Sequence, residues 1–201
     1  MKRNSIFKLA LFSMLAALAY AMTYVSVPLP AAKVHLGNFV CVLSALLFGG
    51  FIGGLSAAVG MTLNDMVLGY HWDTWIRTFF SKLVLGLVVG FVFSILLKKT
   101  KMKIMYAVVI SLVIGILFGI GTEVLLRIIT KSIIYNGINP AVAETISKLP
   151  ANFITGAVSL GLGSLVYYPA YMGLSQISSV DDIVLTRKTQ NVEEIKEENE
   201  A

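Results

Sequence analysis

Residues 38–70 read NFVCVLSALLFGGFIGGLSAAVGMTLNDMVLGY, a stretch in which Asp65 is the only Asp, Glu, Lys or Arg. Such a run is too long for one membrane crossing of about 20 residues. At about 1.5 Å per helical residue it gives two crossings of roughly 25 Å each, against a hydrocarbon core of roughly 30 Å. The stretch therefore predicts two short or irregular spans, divided at the turn Gly49-Gly50-Phe51-Ile52-Gly53-Gly54. Irregular backbone at membrane depth is tolerated only against protein or water.

Further apolar runs flank this stretch. A first span, from about residue 6 to 27, stops at Pro28-Leu29-Pro30, where two prolines forbid continued helix, and a loop over 28–37 follows. Beyond the stretch come a polar aromatic loop over 71–76, a fourth span over about 77–97, a lysine-rich loop over 98–103 and a fifth span over about 104–126. A longer loop carrying Asn136-Gly137-Ile138-Asn139-Pro140 then leads to a sixth span over about 149–174. The expected fold is an all-α integral membrane protein of six transmembrane helices over residues 1–177, with residues 178–201 as a charged, disordered cytoplasmic tail. The N-terminal basic residues Lys2, Arg3 and Lys8 before an apolar run resemble a signal peptide, but the run continues for about twenty positions and more spans follow, so an uncleaved first helix is expected.

Composition agrees with this reading. Of 201 residues, 57% are hydrophobic and 13% charged, and the mean hydropathy is +0.82, outside the balance of a soluble domain. The net charge of +5 conceals a division: residues 1–180 hold thirteen Lys and Arg against Asp65, Asp73, Glu123 and Glu144 alone. Those cations flank apolar spans, where the positive-inside bias accounts for them, and nucleic-acid binding is excluded. Four lysines in Lys98-Lys99-Thr100-Lys101-Met102-Lys103 place that loop in the cytoplasm, and an even number of spans puts both chain ends beside it. Cys41, the single cysteine, lies in an apolar run and reads as a small buried hydrophobe; no disulfide framework, metal site or cofactor is expected.

Ionisable residues inside a bilayer are costly unless they face the bundle or water, so each is a functional candidate. On this topology Asn64, Asp65, Lys82, Glu123 and Asn152 lie four or five residues from the outer ends of four spans, roughly 6–8 Å along each helix. The inner parts of the same spans are nearly free of charge. A polar layer confined to the outer third suits a cup open to the outside better than a through pathway. The competing reading makes Asp65–Lys82 or Glu123–Lys82 ion pairs that brace the bundle, and Glu123 with Arg127 an i,i+4 pair on one helix face. Tyr70, His71, Trp72, Trp75, Phe79 and Phe80 surround the layer either as an interfacial aromatic belt or, in part, as covers for a flat ligand. Ala10, Ser13, Ala17 and Ala21 set small residues on one face of the first span, which lets another helix approach closely.

Taken in order, these residues resemble a known family. His35-Leu36-Gly37-Asn38 leads into a span ending Ala45-Leu46-Leu47-Phe48-Gly49-Gly50; Asn64-Asp65, Gly69-Tyr70 and Phe79-Phe80-Ser81-Lys82 follow. The order is similar to that of substrate-binding S components of energy-coupling factor (ECF) transporters, and the HLGN segment with Lys82 resembles the pyridoxine or hydroxymethylpyrimidine subgroup. The resemblance covers residues 6–97 by motif and the remainder by spacing. It implies a bacterial plasma-membrane subunit that binds a vitamin-like molecule at the outer side, through Asn38, Asn64, Asp65, Tyr70, Trp75, Lys82, Glu123 and Asn152. It further implies docking of Ala10, Ser13, Ala17 and Ala21 on a transmembrane coupling protein, the T component, driven by two cytosolic ATPases. The chain itself holds no G-x-x-x-x-G-K-[ST] phosphate loop. Two rival classes remain: a membrane-embedded enzyme, for which neither H-E-x-x-H nor a nucleophile elbow is present, and a stand-alone small-molecule carrier.

Overall fold

A computed structural model describes residues 3–28, 33–99 and 103–175. Helix α1 (Arg3–Tyr24) is followed by a hairpin of β1 (Ser26–Pro28) and β2 (Lys33–His35), then α2 (Gly37–Phe48), α3 (Gly50–Val67), α4 (Trp72–Lys99), α5 (Ile104–Ile134) and α6 (Ile138–Ser175). Four segments are long and apolar enough to cross a membrane: Ile6–Tyr24, Trp72–Lys98, Ile104–Ile134 and Ile138–Leu174. The other two helices are the short pair expected from residues 38–70. With 12 and 18 residues, they extend about 18 and 27 Å. The expected tail at 178–201 and the centre of the lysine-rich loop, residues 100–102, lie outside the described residues.

The break between α2 and α3 is narrower than the six-residue turn expected. Only Gly49 leaves the helical path, at φ 94° and ψ 153°, a region that a β-carbon makes costly. The remaining glycines of that segment continue into α3. There Gly53 lets the Ala45 backbone of α2 come close, and Gly50 and Gly54 let α4 approach: a β-carbon at Gly86 would strike the Gly54 backbone.

Helix α2 is packed by α1, α3, α4 and α6, which explains a sequence apolar on every side. Its Cys41, Val42, Ala45 and Leu46 are fully buried and form one cluster with Met61 of α3, Val89 and Phe93 of α4, Leu112 of α5 and Tyr167 of α6. The Phe93 and Tyr167 rings meet edge to face at 5.6 Å. Cys41 is a free thiol buried in this cluster, as its apolar surroundings predict.

Helix α1 sits at the periphery, against α3 and α2. Its Ala16 and Ala19 are buried, and Gly60 of α3 packs directly on the Ala16 carbonyl. The opposite side of α1, with Ala10, Ser13, Ala17 and Ala21, is exposed.

Three connections differ from expectation. Part of the 28–37 loop pairs as an antiparallel hairpin in the register Ser26↔His35, Val27↔Val34, Pro28↔Lys33. The polar residues of 71–76 open α4 instead of forming a loop, with Asp73 in the first turn, where a carboxylate suits the helix dipole. The long loop expected over 127–148 shrinks to Tyr135, Asn136 and Gly137. Charges at Arg127, Lys131 and Glu144 end the apolar run, but a helix ends only where its backbone does. Here it ends at Asn136, which takes a left-handed φ of 49°, a conformation asparagine tolerates better than most residues.

Candidate functional site: a one-sided polar cavity

One cavity of about 630 Å³ opens among the outer halves of the helices, within the 300–1,000 Å³ range of small-molecule sites. The end of α1 contributes Thr23 and Tyr24, the hairpin Ser26, Lys33 and His35, and α2 Asn38. Helix α3 supplies Met61, Asn64 and Asp65, and its C-cap Leu68 also lines the cavity; α4 supplies Thr74, Arg77, Thr78, Lys82 and Leu85. Helix α5 adds Ile116, Ile120, Glu123 and Arg127, and α6 adds Lys148, Asn152, Thr155 and Gly156. Ile116, Ile120, Leu85 and Met61 are apolar members of the lining, and all four also belong to or pack on the hydrophobic core.

Seven of the eight residues singled out from sequence line this cavity: Asn38, Asn64, Asp65, Tyr70, Lys82, Glu123 and Asn152. Trp75 does not. It lies outside the lining, with its indole N–H buried and unpartnered among the described residues. Sequence reasoning passed over Arg77, Thr78, Lys148 and Thr155, and it left His35 as a loop residue. For α6 the signal was hidden by the misplaced start of the helix: with α6 beginning at Ile138, Lys148, Asn152 and Thr155 recur at three- and four-residue spacing on one face.

Charge is arranged in two linked groups. Glu123 accepts a hydrogen bond from Arg127 Nη2 at 2.7 Å, and its second oxygen lies 3.7 Å from Lys82 Nζ. Arg127 also reaches Glu144 at 3.9 Å, and Lys148 pairs with Glu144 at 3.1 Å. Behind the wall, Asp73 is wholly buried and receives His71 Nδ1 at 2.9 Å, Arg77 Nη1 at 3.2 Å and Lys131 Nζ at 3.2 Å, which ties the start of α4 to the end of α5. Of the two ion pairs weighed from sequence, Lys82–Glu123 forms. Asp65 instead accepts from the Thr78 hydroxyl at 2.6 Å. The i,i+4 contact between Glu123 and Arg127 forms as expected.

Several buried polar atoms have no hydrogen-bond partner among the described residues. Both amide atoms of Asn64, the Asn38 Oδ1, the His35 Nδ1 and the Arg127 Nε are such atoms, and all four residues line the cavity. Buried polar groups are nearly always hydrogen-bonded, so a concentration of exceptions around one cavity marks where an outside group is received. His35, half-buried on β2, is pushed down to about 4, by burial foremost and by the adjacent Lys82 charge second. It therefore faces the cavity as neutral imidazole at neutral pH.

The arrangement can hold a small polar ligand between α3, α4, α5 and α6, with amides and charged groups to orient it and an apolar floor beneath.

Comparison with known proteins supplies a family. A model of the family described as ECF-type riboflavin transporter, S component, matches residues 3–172. The match is to a riboflavin-type family, not to the pyridoxine or hydroxymethylpyrimidine subgroup that the HLGN segment resembles. A solved structure described as the S component of a bacterial ECF transporter superposes with a TM-score of 0.59 at 19% identity, covering 86% of this chain and 97% of that one. At that identity the likeness concerns the fold. None of the curated proteins matches the sequence. With the family model spanning residues 3–172, the chain belongs to the S components of ECF-type riboflavin transporters, multi-pass proteins of the bacterial plasma membrane that bind a substrate without transforming it.

Proposed function

We propose that this chain captures riboflavin or a close flavin relative from the outer side of the membrane and delivers it for ATP-driven uptake by partner subunits. The observation that carries the proposal is the one-sided cavity. Its charged lining stops at the level of Leu85, Ile116 and Ile120, and farther in the buried hydroxyls of Ser44, Ser111 and Ser159 each donate to a carbonyl of their own helix. Such a cup binds but has no polar route to the other face, so release needs a movement of the whole subunit or of its helices, driven from elsewhere. A stand-alone carrier would need that route within the chain.

The volume of about 630 Å³ is generous for one pyrimidine or pyridine ring and suits a three-ring flavin with its polyol chain. Flavins present a flat apolar face and a polar edge with several acceptors, and the lining offers both apolar side chains and the Asn38, Asn64 and Asn152 amides with Lys82. The exposed face of α1 with Ala10, Ser13, Ala17 and Ala21 is the proposed contact with a transmembrane coupling protein, which would carry two cytosolic ATPases.

The test is uptake. In cells unable to make riboflavin, this chain with a coupling module should restore growth on low external riboflavin, and this chain alone should not. Restoration by the chain alone would favour the stand-alone carrier. No restoration in either case, with the protein present in the membrane, would reject the proposal.

A further inference from the structure

Helix α3 brings two adjacent polar side chains to the cavity wall, and the protein engages only one of them. Asp65 accepts the Thr78 hydroxyl at 2.6 Å. Asn64 is 0% exposed, and neither of its amide atoms has a hydrogen-bond partner among the described residues. Its side chain does not serve the helix either: α3 continues past it, with the Leu68 N–H bonded to the Asn64 backbone carbonyl at 3.0 Å. Of the described residues that line the cavity, Asn64 alone leaves both a side-chain donor and a side-chain acceptor buried and unpartnered. A buried carboxamide in that state costs free energy that a leucine of similar size would not.

The position of the amide suits a flat ring. Met61, one turn inward on the same face of α3, belongs to the apolar part of the lining. The start of α2 meets α3 at this level, since a β-carbon at Gly37 would lie 3.0 Å from Met61 Cε. Next to Gly37, Asn38 also lines the cavity, buried and with its Oδ1 unpartnered. Asn64 therefore stands where the polar lining gives way to the apolar one. A carboxamide presents an acceptor and a donor side by side in one plane. Its complement is a ring N–H beside a ring carbonyl, which closes two parallel hydrogen bonds in the way asparagine pairs with the edge of adenine. Turning the amide over by 180° leaves that complement unchanged.

We propose that Asn64 selects the ligand by an imide edge, accepting from a ring N–H and donating to the carbonyl beside it. Resting on the reading of this cavity as a flavin site, the inference pairs Asn64 with N3–H of the isoalloxazine and one of the two carbonyls that flank it. N3–H is the only N–H of the oxidised flavin ring, and the other heteroatoms of its polar edge are acceptors. The polyol hydroxyls turn freely and fix no such planar pair. A flavin that lacks the N3 hydrogen leaves the Asn64 acceptor buried and unpaired, which is the situation in which a binding site discriminates most strongly.

The experiment is fluorescence titration of the full-length protein in detergent micelles, as wild type and as Asn64→Leu, with riboflavin and with 3-methylriboflavin. Wild type should bind riboflavin about ten-fold or more tightly than the methylated flavin. Asn64→Leu keeps the bulk of the wall, so it should weaken riboflavin about ten-fold and leave 3-methylriboflavin within about two-fold of its wild-type affinity. Without flavin the variant should unfold at a temperature no lower than wild type, because no hydrogen bond within the protein is lost. Asn64→Ala is read in the same way if the leucine variant does not fold. Equal wild-type affinity for the two flavins overturns this inference and leaves the proposed function standing. A variant that weakens both flavins alike also overturns it, by assigning Asn64 to the polyol or to the fold. Discrimination that survives the substitution overturns it too, by making the methyl group a steric obstacle only. If wild type binds neither flavin, the proposed function falls and the inference with it.

Discussion

Replacing Glu123 by Gln removes the one carboxylate that lies between Lys82 and Arg127 while keeping the size and shape of the side chain. The two cations have side-chain exposures of 9% and 6%, so water cannot replace the lost charge. Arg127 loses its 2.7 Å partner and retains only Glu144 at 3.9 Å; Lys82 loses its only ion-pair partner within 4 Å among the described residues. Breaking a buried pair from one side costs about 3–5 kcal/mol, because the partner stays buried and uncompensated. Lys82→Met is the contrasting change. It gives up a 3.7 Å contact, leaves Glu123 with Arg127, and should cost roughly 1 kcal/mol or less. The double variant Glu123→Gln/Lys82→Met removes one acid and one base, so it should recover part of the loss and yield a coupling energy of about 1–3 kcal/mol. Reversible unfolding of the purified proteins in mixed micelles measures all three. Glu123→Gln within about 0.5 kcal/mol of wild type, or no less stable than Lys82→Met, would refute the view that this carboxylate neutralises two buried cations.

Other consequences are open to direct measurement. Ala17→Leu changes an exposed position on α1, so stability and flavin binding should stay within about two-fold of wild type, and co-purification with the coupling protein should be lost. Gly60→Val acts on the other side of the same helix, where a β-carbon would strike the Ala16 carbonyl; it should destabilise by about 1–3 kcal/mol through overpacking, visible as a lower thermal midpoint. Stability should fall with acid through His35. Its folded value of about 4 lies below the unfolded value near 6.5, so the unfolded chain binds more protons between the two, and up to roughly 3 kcal/mol is lost as pH drops from 6.5 to 4. His35→Gln should flatten that part of the profile, and an unchanged slope would mean that His35 is protonated in the folded protein.

How far the sequence carried depended on the physical signal behind each element. Hydropathy located every span and even the short pair in residues 38–70, because burying thirty-three nearly uncharged positions admits few solutions. The layer of Asn64, Asp65, Lys82, Glu123 and Asn152 was legible for the same reason: a polar residue within an apolar span has to face protein or cavity. Helix ends were the weak point. Arg127, Lys131 and Glu144 end an apolar run without ending a helix, so α5 and α6 reach further out than hydropathy indicates, and Lys148 was read as loop. The hairpin 26–28 with 33–35 has three residues per strand, one a proline, too short for an alternating pattern to stand out. Trp75 illustrates the opposite error: neighbours in sequence need not share a face, and while Thr74 and Thr78, one turn apart, both line the cavity, Trp75 stands about 100° around α4 from Thr74. The charge wall itself could not be counted from sequence, since Arg77 and Lys148 enter it only through the geometry of α4 and α6.

The most direct test of the account is equilibrium binding of flavin by the purified chain in the absence of any partner, followed by flavin fluorescence in wild type and in Lys82→Met. One flavin should bind per chain, saturably, and Lys82→Met, with its fold intact, should bind about ten-fold or more weakly, as expected for a lost hydrogen bond to a charged group. Absence of saturable binding in the wild type, or equal affinity in the two proteins, would contradict the assignment of the outer cavity as the substrate site.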